Sequence, residues 1–229
     1  MYRNMVKFMN DVLDFAEEEL PKLGNTRDAF GMQAYMKDVS PFLGVRTPAR
    51  RALGKRIFRT LDAPTSDQLG KAARALWALP FREYQYLACD MITFFINSAD
   101  RKFLEDHVEY LLTQKSWWDT VDSLGSAAVS PLTIKYPSVT LMNKWNKSPN
   151  LWLNRAAIQH QRGRKGDTDI PLLLKYCDDH SDNHEFFIAK AIGWALRDLA
   201  RLDRSAVNKF LSSHPELDRV AVREARKHE

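Results

Sequence analysis

The run Lys115-Ser116-Trp117-Trp118-Asp119-Thr120-Val121-Asp122-Ser123 places a tryptophan and a carboxylate four residues apart where a helix is expected to begin. Residues at that spacing share a helix face one turn apart. Both groups are electron-rich, so together Trp118 and Asp122 can stabilise a developing positive charge. Ser116, followed three residues later by Asp119, reads as an acidic variant of the capping box and sets the helix start there.

A second set lies on the helix expected over about 184–201. Lys190, Trp194, Arg197 and Arg201 recur at spacings of four, three and four, which gathers them on one face. Ile188, Ala191, Ile192, Ala195, Leu196 and Leu199 form a separate apolar stripe. A tryptophan among bases suits a surface that holds phosphates and packs an aromatic ring against sugar or base. The bland alternative has Trp194 against a neighbouring helix while the bases reach outward to water. Arg155, flanked by Ala156 and Ala157, shares a face with Arg162 and has no acid nearby in sequence. Its partner must therefore come from across the fold or from a ligand.

The elements that must position these residues are helices. Apolar residues recur with a period near 3.6 and no run alternates strictly, which predicts an all-α chain. Breakers such as Pro21, Pro41, Pro64, Pro80, Gly125, Pro137, Pro149, Gly163 and Pro215 divide it into helices of ordinary length. Thr47 with Pro48, and Ser66, Asn150 and Asn183, are candidate helix starts. Helix pairs at roughly regular intervals predict an α-solenoid of HEAT-like repeats. No linker divides the sequence, so residues 1–229 read as one domain.

Composition narrows the function. With 229 residues, 45% of them hydrophobic, and no long apolar run, a soluble protein with a substantial core is expected. Cys89 and Cys177 read as buried thiols of a cytoplasmic protein. Net charge is only +5, but Val39–Leu61 and Ser123–Gly166 contain no acid while carrying six and seven bases. Such segregation predicts a basic face for a polyanion. His180 and His184 are separated by a helix-breaking Ser181-Asp182-Asn183, so no metal site is expected. Phosphate-binding glycine loops and the serine-hydrolase elbow are absent. A two-carboxylate glycosidase would need a second acid near Asp122, and Asp119 is assigned to the cap.

Taken together, Ser116–Ser123, Trp152-Leu153-Asn154-Arg155-Ala156-Ala157-Ile158, Phe186-Phe187-Ile188 and Ala191-Ile192-Gly193-Trp194 resemble the signatures of the AlkD-type DNA alkylation-repair glycosylases. Tyr35-Met36-Lys37, Phe42–Arg51, Leu76–Pro80 and Arg82-Glu83 extend the resemblance over nearly the whole chain after the first helix. It implies HEAT-like repeats with a concave basic surface that binds DNA. It also implies removal of cationic N3- and N7-alkylated purines (3-methyladenine, 7-methylguanine, or bulkier adducts) from duplex DNA.

By motif position, the resemblance makes Asp122 the catalytic carboxylate, with Trp118 and Trp194 as aromatic partners and Arg155 on the DNA backbone. Tyr35, Thr47, Arg50, Phe187 and Arg197 follow as supporting or DNA-binding positions, with Lys190 on the stripe beside Trp194. A monomer without cofactor, metal or membrane partner is expected, in the cytoplasm and on the nucleoid if the source is prokaryotic. Leu124–Val129 is smaller than the family pattern leads one to expect after the Trp-Asp motif. The alternatives are a catalytically silent DNA-binding protein on the same scaffold and a helical scaffold for an acidic protein.

Overall fold

The computed structural model describes residues 2–227, and side chains from residue 6 onward. Helices account for all regular structure among them, so the all-α class and the solenoid type of helix packing hold. Contacts divide the chain into two compact units, Met1–Ala128 and Val129–Glu229.

In the first unit the order is α1 (Tyr2–Glu19), α2 (Thr26–Tyr35), α3 (Thr47–Phe58), α4 (Ser66–Ala78), α5 (Arg82–Phe94), α6 (Glu109–Thr113) and α7 (Trp118–Leu124). Its core is layered on α4, which packs against both α1 and α5. Leu69, Ala72, Ala73, Leu76 and Trp77 of α4 meet the apolar faces carrying Phe8, Val12, Ala16, Leu87, Met91 and Ile92, all buried. Each large aliphatic side chain buried this way contributes about 1.5 to 3 kcal/mol.

The second unit contains α8 (Ser130–Lys135), α9 (Val139–Asn146), α10 (Leu151–Gln159), α11 (Ile170–Asp178), α12 (Phe186–Ala200), α13 (Arg204–Ser213) and α14 (Arg219–Ala225). Here α12 is central and packs on α10, α11, α13 and α14. The stripe Ile188, Ala191, Ile192, Ala195, Leu196 and Leu199 is buried, as the periodicity predicts.

Of the expected helix starts, the one at Asn150 holds and the others differ. Asn150 caps α10 by accepting from the Trp152 and Leu153 amides. The α4 cap is Thr65 rather than Ser66, in a full capping box with Gln68. Thr47 is the first residue of α3, behind Arg46, and makes no side-chain cap. Asn183 accepts from the Glu185 amide, one turn short of α12, which begins at Phe186. Two π-helical segments, Leu104–Val108 and Gly125–Val129, were not legible, because an extra residue in a turn hardly disturbs the apolar period. The second is the small-residue segment after the Trp-Asp motif. Cys89 and Cys177 are buried free thiols, as expected.

Candidate active site

The start of α7 is fixed by a buried ion pair and not by a cap. Ser116 Oγ donates to the Leu112 carbonyl at 2.6 Å, and Trp117 occupies the N-cap without a side-chain cap bond. Asp119 faces inward instead. Its carboxylate accepts from Arg82 Nε at 2.9 Å and Nη2 at 2.6 Å, and from the Tyr86 hydroxyl. Arg82 also donates to the Lys115 carbonyl at 2.7 Å and to Thr120 Oγ1 at 3.0 Å. A fork matched to a carboxylate in this way is geometrically specific as well as strong. Burial, and next the Asp119 charge, push the Tyr86 phenol well above its ordinary range, so it is held as a donor.

Lys115, in the left-handed region at φ 49°, completes the junction. Its Nζ donates to the last carbonyls of α4, Ala78 at 2.9 Å and Leu79 at 2.7 Å. Burial, and next the charge of Arg82, lower its pKa.

This anchoring sends the other face of α7 outward. Trp118 and Asp122 are half-buried, one turn apart. The Trp118 ring meets Tyr35 edge to face, with centroids 6.2 Å apart and planes at 83°. Tyr35 is 70% exposed. The resemblance therefore names three residues of this unit that gather on one surface.

Arg50 and Thr47 diverge. Thr47 is exposed at the first turn of α3. Arg50 is buried, its Nε 2.8 Å from Asp90 Oδ2 and its guanidinium 4.9 Å over the Tyr86 ring. It braces the Arg82–Asp119–Tyr86 cluster. The loop leading into α3 is held from the same helix: Glu83, fully buried, accepts from the amides of Leu43, Gly44 and Val45 at 2.8–3.0 Å. Gly44 sits at φ +83°, and a Cβ there would stand 2.0 Å from the Asn25 carbonyl oxygen.

The second unit holds the other candidates. Trp194 is half-buried on α12 and is ringed by cations: Arg155 at 5.2 Å, Arg162 at 5.3 Å, and Lys190 and Arg197 at 5.9 Å from the ring centroid. Both readings of the stripe thus hold in part. Trp194 is neither core nor bare surface, and the stripe has a counter-ion, Glu224 of α14, 30 residues further along. Arg201 lies apart, paired with Asp198 at 3.5 Å.

Arg155 is only 2% exposed, and its Nη1 donates to the Phe187 carbonyl at 2.6 Å. Its charge therefore acts within the Phe187–Trp194 surface, whereas the direct DNA-backbone contact implied by the resemblance needs an exposed guanidinium. Phe187 packs on Trp152 with centroids 5.1 Å apart. Arg162, outside the family pattern, is the exposed cation over the indole.

The first acid-free stretch, Val39–Leu61, is less exposed as charge than it reads. Arg46 pairs with Asp28, Arg50 and Arg51 with Asp90, and Arg56 with Glu19. Among the described residues no group of three or more His, Cys, Asp or Glu could hold a metal ion. No described helix is long and apolar enough to cross a membrane.

Sequence reasoning missed Tyr86 and Glu224 and misassigned Asp119. The Arg82-Glu83 pair was visible only as part of the resemblance. An arginine beside a glutamate, just after Leu79-Pro80-Phe81, was the available signal.

A search of curated proteins found no match. Among solved structures, the chain is similar to a predicted DNA alkylation repair enzyme from Enterococcus faecalis, at TM-score 0.83 and 29% identity, covering 90% of this chain and 96% of that one. It also shares its fold with smu.31 from Streptococcus mutans UA159, at TM-score 0.59 and 17% identity, covering 88% and 98%. The family model described as DNA alkylation repair enzyme matches residues 16–228, and the chain belongs to that family of DNA-repair proteins.

Proposed function

We propose that this protein is a DNA glycosylase that hydrolyses the N-glycosidic bond of N3- or N7-alkylated purines in duplex DNA. The observation that carries the proposal is the division of labour on α7. Asp119 is buried against Arg82, while Asp122 stands beside Trp118 on the half-exposed face. Of the two carboxylates on α7, Asp122 is therefore the one on the solvent-facing side, where a substrate can reach it.

One is enough for this chemistry. Alkylation at N3 or N7 gives the purine a positive charge, so it departs as a neutral base without a general acid. As the C1′–N bond breaks, positive charge moves onto the deoxyribose. Asp122 opposes that charge and orients the water whose oxygen bonds to C1′. The released water proton passes to Asp122 or to solvent, leaving free alkylpurine and an abasic sugar.

Trp118 presents a negative π-face to that sugar, and Trp194, in the second unit, offers another such face to an electron-poor sugar, each worth about 1 to 2 kcal/mol when desolvated. Tyr35 braces Trp118. Thr47 offers a hydroxyl to a backbone phosphate, and Lys190, Arg197 and Phe187 serve the DNA side of Trp194. Arg155 acts through Phe187 and Trp194, which it contacts. The assignment extends to a basic DNA-binding surface and to a monomeric enzyme.

The test is release of free base from duplex DNA carrying 7-methylguanine, with 3-methyladenine and a bulky N7 adduct in parallel. Release of neutral alkylpurine and formation of abasic sites are expected. Tight, salt-sensitive duplex binding without release would instead identify a silent DNA-binding protein.

A further inference from the structure

We propose that Glu224 is the positioning residue for Trp194: it fixes the indole and lowers the positive charge around it, so that the ring can face an electron-poor sugar. The inference rests on the glycosylase reading and adds a residue that the resemblance does not name. Glu224 is 5% exposed, and both its oxygens are used. Oε2 accepts from the Trp194 indole Nε1 at 3.1 Å and from Arg197 Nη1 at 3.4 Å, and Oε1 accepts from Lys190 Nζ at 2.8 Å.

The sequence permits this approach at one position. A Cβ on Gly193 would lie 2.5 Å from the Glu224 Cβ and 2.7 Å from the Ala221 carbonyl oxygen. Glycine there lets α14 settle against α12, next to the tryptophan it serves.

The charge arrangement explains why a carboxylate is needed. Four cationic side chains stand 5.2–5.9 Å from the indole centroid. They attract phosphate, but they also repel any further cation at that ring, including a developing oxocarbenium. Glu224 touches two of the four. By accepting the indole N–H as an anion, it also pushes electron density into the π-system, which strengthens the negative face. The Lys190 hydrogen bond, ahead of the others, holds its carboxyl below the usual range, against the effect of burial.

A residue that merely packs α14 would give up stability, affinity and rate together. A positioning residue separates them. The measurement is single-turnover release of 7-methylguanine, with duplex affinity and melting temperature, for wild type, Glu224→Gln, Trp194→Phe and the double variant. Losing a hydrogen bond to a charged group predicts a rate about tenfold or more slower in Glu224→Gln. Duplex affinity should be unchanged or tighter, because the cage gains a net positive charge.

In Trp194→Phe, which lacks the N–H but leaves both ion pairs of Glu224 intact, the rate should fall, and the added Glu224→Gln should then cost less than it does in wild type. Wild-type rate in either single variant overturns the inference, as do independent, multiplying effects in the double variant. If Glu224→Gln fails to fold, Glu224→Asp, which keeps the charge but shortens the reach to the indole, takes its place, and a wild-type rate there overturns the inference. A wild type that releases no base overturns the glycosylase reading and this inference with it. An active wild type with an unaffected Glu224→Gln overturns the inference only.

Discussion

Arg82 grips Asp119 through two hydrogen bonds of 2.9 and 2.6 Å, three residues before Asp122 and 37 residues distant in sequence. Both are buried. The pair determines which side of a seven-residue helix faces inward, and so it points Trp118 and Asp122 outward. Breaking a buried pair by removing one partner leaves a stranded charge, which typically costs about 3 to 5 kcal/mol. Arg82→Met should lose stability of that order in denaturant unfolding. Excision should fall even at temperatures where the variant is folded, because α7 loses its anchor.

Tyr35 is an opposite case. It is 70% exposed and meets Trp118 only at its edge. Tyr35→Ala should leave the melting temperature nearly unchanged, as expected for a surface substitution. An aromatic pair of this kind is worth about 0.5 to 1.5 kcal/mol. Base release should therefore slow by about two- to tenfold, and Tyr35→Phe should restore it. A wild-type rate in the alanine variant would remove Tyr35 from the site.

Arg162 is exposed over the Trp194 ring at 5.3 Å and is the base there that DNA can reach most directly. Arg162→Ala should weaken duplex binding alike for damaged and undamaged DNA. It should also reduce the slope of log affinity against log salt by about one. An unchanged slope would place Arg162 outside the DNA footprint.

Buried histidines contribute to the stability profile in acid. Burial lowers the His160 pKa from 6.5 to about 4, against the backbone bond to Ala157 that partly offsets it. Burial, and next the Arg74 charge, lower His107. The unfolded chain therefore binds more protons than the folded one between pH 6.5 and about 4. Unfolding free energy should fall as pH drops through that window, with nothing further from His160 below it. For His160 alone the loss is about 3 kcal/mol. Denaturant midpoints for wild type and His160→Gln from pH 7.5 to 4 check this: the variant's profile should be flatter, and an equally steep one contradicts it.

What could be read in the sequence follows from range. The apolar stripe of α12 and the Trp118–Asp122 spacing are local, fixed by 3.6-residue periodicity. They survive intact in the structure. The Asn150 cap is equally local.

What failed was long-range. Ser116 and Asp119 satisfy a local capping pattern, but Arg82, from another helix, outbids the backbone for the carboxylate. Similarly, Arg46, Arg50, Arg51 and Arg56 look uncompensated within their own segment, yet acids at Asp28, Asp90 and Glu19 meet them after folding. Glu224 belongs to the same class. No spacing rule links a residue of α14 to an indole on α12.

The most direct measurement of the central claim is single-turnover release of 7-methylguanine from duplex DNA by Asp122→Asn. The substitution keeps the shape and removes the charge. If the carboxylate steadies the sugar cation, the rate should drop by about a hundredfold or more, with duplex affinity and melting temperature close to wild type. Release at nearly the wild-type rate would contradict the account.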